Sequence, residues 1–336
     1  MKVCSALLAL AATLLVVAGC GGGKSKSGTL TVYSGREEEL VQPLFDRFEE
    51  KTGISVEVRY GDSAELAATI AEEGGNAPAD VFFAQDPGSL GSVDDRLEEL
   101  PQETLDRVAA RFRDAGGRWV GTSGRTRVLA YNTDALTEAQ VPDSVFDLTD
   151  PAWKGKIGIA PTNASFQAFV TAMRLSAGEA RTRQWLVDLQ ANDPKTYEKN
   201  TPIVEALATG EIALGLVNHY YLYLVREEQP DAPIANHFLA QGDPGALVSV
   251  AGAGVLASSG NKDEAEELVA YLLSDEGQRF YTDTAEEAEY PLVAGIPAKE
   301  GLPALDTLRG PDVDLSSFGA ELESTLELLR QTGYLS

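Results

Sequence analysis

Cysteine and histidine are nearly absent from this chain of 336 residues, with two of each. Both cysteines, Cys4 and Cys20, fall in the first twenty residues, so the remainder has no thiol for a disulfide, a zinc site or a nucleophile. The serine in GTSGR (121–125) has only His219 and His237 as conceivable bases and no triad motif around it, which counts against a Ser–His hydrolase. There is no phosphate-binding P-loop, no GxGxxG after a strand, no HExxH and no GxSxG. Positive charge is also in deficit. With 27 Lys and Arg against 52 Asp and Glu, the formal charge of −25 excludes the concentrated basic face that a nucleic-acid partner requires. The acidic excess is read as an aid to solubility.

The first twenty residues, MKVCSALLALAATLLVVAGC, carry Lys2, an apolar stretch and a small-residue cluster before Cys20. That is the composition of a secretory signal, residues 1–19, and not of a fold element. VAGC resembles the bacterial lipobox, which implies lipidation at Cys20, with 20–28 (Cys20 followed by GGGKSKSG) as lipid attachment point and flexible tether. The expected location is extracytoplasmic, lipid-anchored to the cell membrane.

Beyond the tether, LTVY (30–33) reads as a strand, and Glu38–Lys51 places Leu40, Val41, Leu44, Phe45 and Phe48 at helical spacing, with Pro43 expected in the opening turn. ISVEVRY (54–60) alternates as a strand, Asp62 and Glu65 resemble a capping box for the next helix, and ADVFFA (79–84) reads as a buried strand. A second set follows: KIGIAP (156–161), helices near 165–177 and 180–191, a short one after Pro202, and IALGLV (212–217). Two strand–helix sets imply two α/β lobes with ligand loops at the carboxyl ends of the strands. RVLAYN (127–132) runs between the sets and LVSVAGAGVLA (247–257) follows the second, and both are expected to cross as hinge strands.

NHYYLY (218–223) follows the IALGLV strand. Its adjacent tyrosines have two readings: rings in the core with hydroxyls at the rim, or two phenol oxygens turned together onto a hard cation. Convergence of both oxygens needs a place where strand gives way to helix, since neighbours on a strand diverge. Glu37–Glu38–Glu39 reads as a solvated run at a helix start, where negative charge suits the dipole.

LTVYSGREEE, ELAATIAEEGGNAPADVFFAQD, SGRTRVLAYNT, PAWKGKIGIAPTNASF, NHYYLY, GDPGALVSVAGAGVLASSGNKDEA and AEYPL, taken in order, resemble the landmarks of the periplasmic ferric-ion-binding proteins of bacterial ABC transporters. The resemblance implies an α/β two-lobed clamshell of periplasmic binding protein type II with two crossover hinge strands. Its lobes would comprise 29–126 plus about 250–285, and about 127–249 plus 286–336. It further implies a monomeric, non-enzymatic receptor that captures Fe³⁺ as its transported ligand and delivers it to a membrane permease. The family's paired iron ligands carry over to Tyr220 and Tyr221. Glu37 stands where many relatives have histidine, and Gln85 where relatives often have glutamate, leaving Asp86 to compensate. Ser165 and Phe166 stand where some relatives have a further tyrosine.

The thin anionic set implies completion by a synergistic carbonate or phosphate. By family match this anion falls to Thr162, Asn163 and Ala164 at a helix start, with Asn200, Asn218, Arg125 and Arg36. Two rivals stand beside this reading: the same clamshell binding a phosphonate, phosphate or other small oxyanion, and an exported hydrolase using Glu37 and Asp86. Colour discriminates them, since ferric phenolates absorb visible light and the rivals would remain colourless.

Overall fold

The computed structural model describes residues 28–284 and 288–336; the leader, Cys20 and nearly all of the tether lie outside them. The chain opens with β1 (Thr29–Ser34), α1 (Glu38–Thr52), β2 (Ser55–Tyr60), α2 (Ser63–Glu73) and β3 (Val81–Ala84). The expected apolar stripe of α1 is buried, and the helix ends where Gly53 adopts φ 76° and returns its N–H to the Glu49 carbonyl. Pro43 departs from expectation, lying inside α1 beyond its first turn. It is exposed, as is Glu39, so the carbonyl that loses its donor faces solvent. Asp62 caps α2 by accepting from Ala64 N at 2.9 Å.

Two short helices, α3 (Pro87–Ser92) and α4 (Gln102–Leu105), precede β4 (Val120–Asn132), thirteen residues long and buried throughout. This strand joins two sheets. Its Val120–Thr126 half pairs antiparallel with β9 (Val248–Val255), and its Arg127–Asn132 half pairs antiparallel with β7 (Leu214–Asn218) and β8 (Ile234–His237). The first sheet is ordered β2-β1-β3-β9-β4, with β1 parallel to both its neighbours. The second runs β4-β7-β5-β6, where β5 is Ile157–Ile159 and β6 is Lys195–Thr196. Helices α5 (Ala164–Ala177), α6 (Glu179–Ala191), α7 (Asn200–Ala208) and α8 (Tyr221–Glu228) accompany the second sheet. Arg127 N donates to Leu247 O at 3.1 Å, so the outgoing and returning crossovers run side by side.

The first lobe has one core, built from Phe45 and Phe48 of α1, Phe82 and Phe83 of β3, and α9 (Lys262–Leu272) and α10 (Asp275–Asp283). The second lobe has two, one on each face of its sheet. The expected lobe division needs correction near its ends. Leu247 already packs in the first core, and β10 (Tyr290–Pro291) pairs with Gly124 and Ser123 in the first sheet. The chain then reaches α11 (Phe318–Gln331), whose Phe318 packs in the first core and whose Leu328 and Leu329 pack in the second. Apolar residues flanking a polar crossover go to whichever core is near, a choice that local spacing does not encode.

Candidate metal centre

Strand β7 ends at Asn218 and α8 begins at Tyr221, so the tyrosine pair occupies the strand-to-helix transition. The two rings stack with centroids 4.4 Å apart and planes 30° apart. They are 1% and 3% exposed. Neither phenol oxygen has a hydrogen-bond partner among the described residues. Burial holds the Tyr220 phenol well above its ordinary pKa, helped by Tyr221 and Glu289 and opposed by Arg36 and Arg125. With no hydrogen bond from a described residue and neither oxygen fully buried, both are left open to a ligand entering from solvent.

His219 is not available beside them. Its Nδ1 accepts from Thr126 N at 3.3 Å and its Nε2 donates to Ala288 O at 2.7 Å. Burial lowers its pKa to about 4, against the Ala288 bond and Glu289, so the ring is a neutral brace between β4 and the chain entering β10.

A cleft of about 990 Å³ lies between the lobes. Its first-lobe wall carries Arg36, Glu37, Asp62 and Gln85, and its second-lobe wall Thr162, Asn163, Glu198 and Lys199. Glu37 is the N-cap residue of α1, with its side chain 44% exposed and 4.0 Å from Lys199 Nζ across the cleft. The turn that presents it is close-packed: a Cβ on Gly35 would lie 1.9 Å from Ser63 Oγ.

Asp86 is a correction. It is buried, accepting from Ser89 N at 2.9 Å and Ser89 Oγ at 2.8 Å as the cap of α3. Burial raises its pKa against those bonds and the charge of Arg125. Gln85, its neighbour, is the residue that lines the cleft, because successive side chains leaving a strand point to opposite faces. Arg36 and Arg125 are both engaged by Glu289.

The other predicted anion residues do assemble. Asn163 caps α5, its Oδ1 accepting from Ser165 N at 3.0 Å, Ser165 Oγ at 2.6 Å and Asn200 Nδ2 at 3.2 Å. Ala164 is buried in the first turn and Thr162 is exposed at the cleft, its hydroxyl donating to Glu198 O at 3.4 Å. Asn200 Oδ1 and Asn218 Nδ2 are buried without partners among the described residues.

Sequence reasoning missed the cation of this group. Arg127 donates to Ser165 Oγ at 3.1 Å, Asn218 Oδ1 at 3.5 Å and Leu216 O at 2.5 Å, and stands 5.7 Å from the Phe169 ring centroid. Burial draws its pKa down to about 9, against the opposing pull of Tyr221 and Tyr220. The signal was present in SGRTR, where Arg125 and Arg127 share one face of β4 by period-two alternation. Glu289, also missed, is a lone acid inside the buried run Ala288–Tyr290. Cys20 lies outside the described residues. Among those residues no group of three or more His, Cys, Asp and Glu could hold a metal, and no helix is long and apolar enough to cross a membrane.

Two α/β lobes with mixed sheets, joined through a shared strand and with polar residues of both facing one cleft, define a ligand-binding clamshell. The chain belongs to the family described as bacterial extracellular solute-binding protein, whose profile matches residues 76–314. It is similar to the major ferric iron-binding protein of Neisseria meningitidis serogroup B, 37% identical over 310 residues that cover 90% of this chain and 92% of the relative. The Fe(3+)-binding periplasmic protein of Serratia marcescens is 31% identical over 330 residues, covering 97% and 96%. Among solved structures, iron-bound HitA from Pseudomonas aeruginosa superposes with a TM-score of 0.86 at 36% identity, over 91% of this chain and 99% of that one. The fold is thereby the two-lobed α/β clamshell expected of periplasmic binding proteins.

Proposed function

We propose that this chain is the solute receptor of an ABC transporter, capturing ferric iron between its lobes on Tyr220 and Tyr221 and delivering it to a membrane permease. The observation that carries the reading is the stacked, buried pair of phenols whose oxygens have no partner among the described residues. Fe³⁺ is a hard cation that prefers anionic oxygen, and its charge displaces the protons of the phenols it binds. Relatives named for ferric iron binding support the choice of cargo.

Glu37, which lines the cleft, is the carboxylate we assign to the metal. With about six donors to satisfy, two phenolates and one carboxylate leave positions for a synergistic anion. We assign that anion, carbonate or phosphate, to the start of α5 with Asn200, Asn218 and Arg127. The free buried Asn218 Nδ2 donor and the charge of Arg127 favour this cradle. A receptor for an oxyanion alone would use the same cradle, but would have no use for two unpartnered phenols.

The lobes are taken as 29–126 with about 250–285, extended by 290–293, and about 127–246 with much of the remainder. Cys20 is taken as the lipid attachment point, tethering a monomeric, non-enzymatic receptor outside the cytoplasm. Addition of ferric iron to the purified protein is expected to produce an orange-red phenolate absorption, strengthened by bicarbonate or phosphate. A protein that stays colourless at saturating iron refutes the proposal.

A further inference from the structure

Arg36 and Arg125 reach the first-lobe side of the tyrosines from separate elements, the turn after β1 and the middle of β4. They are 3% and 1% exposed. Two guanidinium groups this deeply buried are costly unless a negative charge lies between them. Glu289 supplies it. Its Oε1 accepts from Arg36 at 2.7 Å and from Arg125 at 3.4 Å, and its Oε2 accepts from the Ser123 hydroxyl. Glu289 is itself fully buried, and although burial alone would raise its pKa, Arg36, Arg125 and Ser123 hold it below the ordinary value.

A carboxylate gripped by two arginines and a hydroxyl is the arrangement that a free oxyanion would otherwise occupy. Arg36 and Arg125 therefore make a complete anion site whose occupant is part of the chain. We propose that Glu289 is a built-in anion: it fills the Arg36–Arg125 pair, excludes exogenous oxyanions from the first lobe, and so confines the synergistic anion to the Arg127 cradle. Charge supports the arrangement. Glu289 already sets a negative charge against Arg36 and Arg125, and a phosphate dianion added to the same pair would crowd further negative charge against it. The consequence for iron loading rests on the ferric-site reading above; the occupancy of the arginine pair does not.

The test is calorimetric titration of iron-free protein with inorganic phosphate. Glu289→Gln is expected to gain one phosphate site absent from the parent protein, at least tenfold tighter than any phosphate binding the parent shows. Adding Arg125→Gln is expected to remove that site. Tyr220→Phe, which tests the ferric reading, is expected to leave the gain intact, so the two ideas fail separately. A folded Glu289→Gln protein with parental phosphate stoichiometry overturns the proposal. If Glu289→Gln folds poorly, its thermal stability is read against phosphate and acetate concentration. Recovery by either anion supports the built-in role, and no recovery at any concentration overturns it.

Discussion

Removing one phenol oxygen separates what the tyrosine pair does for the fold from what it does for the cargo. Tyr220→Phe keeps the stacked ring and deletes a hydroxyl that has no partner among the described residues. That hydroxyl is not among the fully buried unsatisfied groups, so its loss is expected to leave the iron-free variant within about 1 kcal/mol of the parent. At roughly 2–4 °C per kcal/mol for lobes of this size, the midpoint should stay within about 4 °C of the parent's. Ferric iron at a hundred times its Kd adds about 2.7 kcal/mol to the parent, a shift on the order of 5–10 °C. In the variant that shift should vanish together with the visible absorption. Tyr221→Phe is expected to behave in the same way. Scanning calorimetry with and without a ferric chelate, alongside absorbance, reads both effects. A Tyr220→Phe protein that is destabilised without iron yet keeps full colour and the full iron-induced shift would show that the hydroxyl serves the core and not a metal.

The remaining expectations concern anion, proton and anchor. Ferric affinity under chelator competition should drop at least tenfold in buffer stripped of carbonate and phosphate and recover when either is restored; Arg127→Gln should blunt the recovery, and an affinity indifferent to anion would mean that side chains complete the sphere. Two phenol protons should leave per iron bound, so affinity should fall roughly a hundredfold per pH unit on acidification, checked by calorimetry in buffers of differing ionisation enthalpy; a release near zero would exclude phenolate ligation. His219, held neutral with its pKa near 4 in the fold, protonates earlier when unfolded, so its contribution of about 3 kcal/mol is present above pH 6.5 and is lost as pH falls toward 4. His219→Gln, which lacks a titrating group, should flatten the stability profile across that window in urea melts, and an unchanged slope would remove His219 from the account. Cys20→Ser should move the protein from the membrane to the soluble fraction while leaving iron binding intact, and retention at the membrane with an uncleaved leader would favour a spanning anchor.

The sequence by itself determined the elements and where along them the tyrosine pair falls. Hydrophobic spacing marked α1 through Leu40, Leu44 and Phe48, and alternation and turn chemistry marked the strands, because those signals are local and survive without tertiary context. The transition at 218–221 was legible for the same reason, since the apolar run IALGLV gives way there to the mixed segment NHYYLY. Only the tertiary structure decided the partners. Asp86 and Gln85 are equally polar in the sequence, and the direction in which the chain leaves β3 assigns one to cap α3 and the other to the cleft. Arg125 and Arg127 are chemically identical, and what separates them is that β4 changes sheets between them, giving one to Glu289 and the other to Ser165 and Asn218. Glu289 is 253 residues from Arg36, and a pairing across that distance is set by how two lobes close around a shared strand, not by any pattern within either segment.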